Sequence, residues 1–83
     1  MHKTHPEILR RLRRADGHLH TVIAMIAAGK PCLDLAQQLH AVESAIAKAK
    51  KELIQDHIEH CLEAQAGDVK SAVGELKQLA KYL

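Results

Sequence analysis

The stretch "CLDLAQQLHAVESAIAKAKKELIQDHIEHC", Cys32 to Cys61, runs 30 residues without a proline or a glycine. Within it Leu35, Leu39, Val42, Ile46, Ala49 and Leu53 recur at spacings of 4, 3, 4, 3 and 4. That alternation is a heptad-like stripe, the seam of one long helix that packs against another. Continued by four residues, the stripe reaches His57. No strand reading survives a window this long with helical periodicity and no breaker.

Outward from the long helix the punctuation is clear. On its N-terminal side stands "AAGKP", in which Gly29 suits the C′ position of a preceding helix and Pro31 can open the next. That preceding helix has Thr4 as N-cap, Pro6 early and Glu7 at the third position. Ile8, Leu12, Leu19, Val22, Ile23 and Ile26 supply its apolar spacing, and Gly17 interrupts it without ending it. On the C-terminal side "AGD" breaks the chain, with Asp68 as a cap. A short third helix then carries Val73, Leu76, Leu79 and Ala80 on one face. The expectation is an all-α chain forming a single domain over residues 1–83, with helices at about 5–28, 31–66 and 69–83.

Composition agrees. The 83 residues include no Phe, no Trp and one Tyr, Tyr82, so the apolar side chains are mainly Ala, Leu, Ile and Val. Sheet proteins lean on aromatic and β-branched residues, so this chain favours helices. It is short for a self-sufficient core, and such chains gain their missing burial by oligomerising. No apolar run approaches the roughly 20 residues of a membrane span, and "MHKTHPEILRR" lacks the apolar core of a signal peptide. The chain therefore reads as cytoplasmic, where two cysteines serve as ligands or redox thiols rather than as a structural disulfide.

"QDHIEHC", Gln55 to Cys61, gathers the chemistry. On a helix His57 and Cys61 are i and i+4 and share a face. His60 lies about 100° around from Cys61, which suits a surface or supporting role. One Cys and one His at this spacing in a chain with 7 histidines also fits chance; the heptad stripe that ends on the pair favours a site. Two ligands do not hold a metal tightly. The other thiol, Cys32, lies 25 residues before His57, about 37 Å along a continuous helix. It cannot join its own His57 and Cys61. If the three meet, Cys32 comes from a second chain running antiparallel, and a two-fold dimer then holds two equivalent sites. Cys32 sits in the first helical turn, where the dipole favours a thiolate.

With "ILRRLRRADGHL", "GKPCLDLAQQLHAVESAI" and "DHIEHC", nearly the whole chain resembles the CsoR/RcnR family of metal-sensing transcriptional repressors. The spacing of Cys32, His57 and Cys61 is similar to that of the family's copper sensors. The resemblance implies a three-helix protomer, an antiparallel four-helix-bundle dimer and a dimer-of-dimers tetramer. It implies a repressor that holds operator DNA and releases it when metal binds between chains. Cu(I) suits two thiolates and one imidazole, and Glu75 matches the residue that supports the histidine ligand. Pro31 stands where some copper sensors carry Tyr. Ni(II) and Co(II) sensors of the family add N-terminal ligands, for which His2 and His5 are available. Zn(II) binding in vitro follows from the same donors. A persulfide sensor would need only the two cysteines.

The formal net charge is +2, unevenly spread. "RRLRR" places Arg10, Arg11, Arg13 and Arg14 on the first helix, and "KAKK" places Lys48, Lys50 and Lys51 midway along the second. In an antiparallel dimer the two sets merge into one positive face. The resemblance implies DNA contact by Arg11, Arg13 and Lys48; Asp16 stands where relatives often carry a basic residue. Gln37 and Gln38 match a family pair suited to inter-helix hydrogen bonds. His18, His20 and His40 read as core-edge or surface residues. A metal storage or delivery module is the competing class, and no Ser–His–Asp pattern or phosphate loop points to an enzyme.

Overall fold

The structure is a computed structural model. It describes residues 5–63 and 69–83, the side chains of 61–63 excepted. Three helices follow one another: α1 (His5–Ala27), α2 (Cys32–Glu63) and α3 (Val69–Ala80). Thr4 and Asp68, the expected caps, lie outside the described residues.

The α1–α2 turn forms because Gly29 tolerates what other residues do not. Its φ is +73°, a left-handed conformation that lacks a Cβ penalty only in glycine. Gly29 N–H donates to Ile26 O at 3.0 Å and Lys30 N–H to Met25 O at 3.1 Å. This is the paired C-terminal closure of a Schellman motif. α1 ends at Ala27, one residue short of the expected 28. α2 begins at Cys32 rather than 31, because Pro31 flanks the helix and its carbonyl accepts the first helical bond from Leu35 N–H at 3.1 Å. α3 stops at Ala80 instead of reaching Leu83. Lys81, Tyr82 and Leu83 donate three residues back, to Gln78, Leu79 and Ala80, and this tighter geometry closes the helix instead of extending it.

α1 and α2 pack as an antiparallel pair with a repeat of seven on both sides. Ile8, Ala15 and Val22 are buried on α1, against Val42, Ala49 and Asp56 on α2, with Ile54 buried beside them. The stripe read from the sequence therefore divides. Val42 and Ala49 face α1, whereas Leu39, Ile46 and Leu53 stay 41–45% exposed. Leu12, Leu19 and Ile26 repeat the same exposed register on α1. α3 meets α2 only sparsely. Val22 is completely buried, so Val22→Ala removes two methyl groups from the tightest point of the seam. We expect it to destabilise the protein by about 1–3 kcal/mol, read as a lower midpoint in urea unfolding with an unchanged slope.

Candidate metal centre

α2 is uninterrupted from Cys32 to Glu63. Cys32, a free and exposed thiol, is its first residue. With about 37 Å of helix between them, Cys32 and His57 of one chain lie at opposite ends of the same rod. Among the described residues no three His, Cys, Asp or Glu side chains converge as a metal-holding group. Cys61 lies on α2 four residues beyond His57; its side chain, like His2, lies outside the described residues.

His57 is half-buried near the C-terminal end of α2. Its Nε2 sits 2.8 Å from Glu75 Oε1 on α3. An imidazole that donates Nε2–H to a carboxylate has its tautomer and ring direction set, and its Nδ1 becomes the more basic nitrogen. This ion pair ties α2 to α3 at His57.

One turn of α2 carries a second cluster. Asp56, immediately before His57, is 4% exposed. His60 Nδ1–H donates to the Asp56 carbonyl at 2.9 Å and lies 3.3 Å from its carboxylate. His5, at the start of α1, places Nε2 3.8 Å from the other Asp56 oxygen. His5 and His57 are thereby brought to the same end of the molecule. Asp56 has no assigned role in the sequence-based expectations above. A signal for it existed, since 42, 49 and 56 share one heptad position and a carboxylate there must be buried in the seam.

The basic residues line neighbouring grooves, and Lys48 is shared: it also lines one with Lys51, Glu52 and Gln55. Arg10, Arg11, Arg14 and Lys48 line one groove of ~350 Å³ between α1 and α2, together with Glu7 and His18. Lys50 and Lys51 line a different groove, with Gln55 and Leu83. Arg13 is exposed and lines neither. Carboxylates engage two of the arginines. Arg10 donates to Glu7 at 2.6 Å, and Arg11 donates through NH1 to Glu52 at 2.9 Å. The Arg10 hydrogen bond, reinforced by the Arg10 charge and by Arg11, holds the Glu7 carboxyl below the usual carboxylate range. Across the helix pair, His18 Nε2–H donates to Gln38 Oε1 at 2.6 Å. His20 pairs with Asp16 at 3.4 Å on the exposed face of α1.

Comparison with known proteins follows the same lines. Residues 4–82 match the family model described as a metal-sensitive transcriptional repressor. A copper-sensing transcriptional repressor, CsoR, of Mycobacterium ulcerans is 34% identical over 76 residues, 89% of this chain and 65% of its own length. The CsoR of Bacillus subtilis is 30% identical over 81 residues, 95% of this chain and 80% of its own. The chain thus spans about two thirds of the mycobacterial relative. The structure of the nickel-responsive transcriptional regulator InrS superposes with a TM-score of 0.86 at 26% identity, covering 100% of this chain and 97% of that one. With the family model matched from end to end on a fold of three helices, the chain belongs to the metal-sensitive transcriptional repressors.

Proposed function

We propose that the protein is a single-domain repressor that holds operator DNA as the apo form and releases it when a transition metal binds between chains. The ligands are Cys32 of one chain with His57 and Cys61 of another, and Glu75 supports the histidine from the outer side. The observation that carries this reading is the unbroken α2, which keeps Cys32 from its own His57. The donors fit a metal: an imidazole whose Nε2 is already held by a carboxylate is the usual setting of a ligating histidine. Bound metal would supply a bridge across the subunit interface. It lowers DNA affinity only if it binds the weakly DNA-binding conformation better. No enzymatic step is part of this reading, and the site of action is the cytoplasm.

Association with a second copy, which the reading takes as an antiparallel dimer that pairs into a tetramer, is supported by the shape of the chain. The radius of gyration is 17.3 Å, against about 12 Å for a compact chain of this length. The accessible surface is 6491 Å², about 1,500 Å² above that of a compact monomer of this mass. The exposed Leu12, Leu19, Ile26, Leu39, Ile46 and Leu53 account for an apolar face that a second copy would cover.

Cu(I) is the first choice of metal, from two thiolates and one imidazole and from the copper-sensing relatives. Ni(II) or Co(II) is a second reading favoured by one observation, the position of His5 beside Asp56 at the His57 end. His5 thus stands at the end of the molecule where a nickel or cobalt sensor would draw further ligands, His2 among them, and the likeness to nickel-responsive InrS points the same way. Titrating reduced protein with Cu(I) or Ni(II) against calibrated chelators, while following operator release by fluorescence anisotropy, decides between them. Release by Cu(I) that survives His5→Ala supports copper; release by Ni(II) alone, lost with His5→Ala, overturns it. Zn(II) should bind in the same assay. Release by persulfide without metal would instead identify a thiol sensor. A protein that takes up metal but binds no operator would be a storage or delivery module.

A further inference from the structure

The groove that gathers Arg10, Arg11, Arg14 and Lys48 also contains carboxylate. Glu7 lies among its lining residues, and Glu52 reaches Arg11 from α2. A guanidinium grips a phosphate through two parallel N–H groups on one edge, and it has two such edges. One edge is Nε with NH2, the other NH1 with NH2. Arg10 commits NH2, which belongs to both edges, to Glu7. Arg11 donates through Nη1 to Glu52 at 2.9 Å, and its Nε lies 3.6 Å from Glu7, an ion-pair contact beyond hydrogen-bond reach. Each arginine therefore carries a carboxylate partner whose charge a phosphate must displace or oppose to gain the full guanidinium. Arg14 and Lys48 have no carboxylate partner among the described residues.

We propose that Glu7 and Glu52 are resident competitors for DNA phosphate, which occupy Arg10 and Arg11 in the unbound protein and cap its affinity for DNA. The proposal rests on the DNA-binding reading above and assigns these two residues a role within it. Phosphate displaces the carboxylates, and the two anions then repel across the same groove. Glu7, like any ordinary glutamate, is ionised at neutral pH, and Arg10 favours that state further, so the competition is present under physiological conditions. The cap has a use. Coupling between two sites typically changes affinity ~5–150-fold. A repressor whose apo form bound far more tightly than its operator concentration requires would stay bound after metal arrived.

The test compares full-length apo wild type with Glu7→Gln and Glu52→Gln, each keeping side-chain length and an acceptor for the arginine. The probe is operator duplex, in anisotropy titrations across a range of salt. Each variant should bind about 2–30-fold more tightly, from one weak exposed ion pair removed in each of two chains. The dependence of log K on log salt should steepen by about one to two units, as freed arginines add phosphate contacts. Glu43→Gln removes the same charge outside the groove and should change little. Unchanged or weakened binding in both glutamine variants overturns the proposal, as does an equal gain in Glu43→Gln, which would mark a general charge effect. Circular dichroism melts confirm that each variant compared is folded. Failure of wild type itself to bind operator would refute the DNA reading instead, so the two failures are distinguishable.

Discussion

Cys32→Ala should weaken metal binding by roughly 10²–10³-fold and abolish metal-driven release of DNA, while apo binding to the operator stays intact. The size follows from apparent binding energies of about 10–16 kcal/mol for four-ligand structural sites, or roughly 3–4 kcal/mol per ligand, at about 1.4 kcal/mol per tenfold. Cys61→Ala should do the same. The larger effect appears when the two variants are co-refolded in equal amounts. Half of the dimers then hold one chain of each kind. In those, Cys32 of one chain meets His57 and Cys61 of the other at one end, and the opposite end lacks both thiols. About a quarter of all sites should therefore recover wild-type affinity, as a distinct tight phase in a chelator competition. A site built within a single chain would recover none. The continuous α2 from Cys32 to Glu63 leaves only the inter-chain arrangement, so absence of the tight phase would overturn the ligand set itself.

The architecture was legible in the sequence wherever strong local signals act. "AAGKP" marked the α1–α2 turn because Gly29 and Pro31 each leave few backbone alternatives. The breaker-free run likewise marked α2 as a single rod. Packing was less legible. A spacing of three and four identifies an apolar stripe without saying which half faces which partner. In the structure Val42 and Ala49 are buried with α1, and Leu39, Ile46 and Leu53 remain exposed. Ala15 and Asp56 escaped notice because a small residue and a charged one carry no hydropathy signal, although both occupy the buried seven-residue repeat. The contact of Glu75 with His57 could not come from spacing at all, since it depends on how α3 folds back on α2. The basic residues show the same limit. Neighbours in "RRLRR" and "KAKK" are turned about 100° from one another, so Arg10, Arg11 and Arg14 part from Lys50 and Lys51, with Lys48 lining a groove on either side.

That separation leads to the second large effect. Arg14→Ala combined with Lys48→Ala should weaken operator binding on the order of 10²–10³-fold. Lys50→Ala with Lys51→Ala, the same number of charges on the other groove, should cost far less. Placing Cys32 of one chain opposite His57 and Cys61 of another centres the dyad near Ile46. In that proposed dimer Lys48 would lie within about 5 Å of it along the helix axis, which would bring the grooves of the two chains close together. The double substitution thus removes four cations from one surface. At about 1 kcal/mol for each exposed phosphate contact, the loss reaches the stated range, and the salt slope should flatten by about three to four units. Because phosphate contacts position a protein without reading sequence, affinity for non-operator duplex should fall by a similar factor. A loss confined to operator DNA would mean that these side chains read bases. Equal losses from the two double substitutions would mean that DNA covers both grooves rather than the one lined by Arg10, Arg11, Arg14 and Lys48.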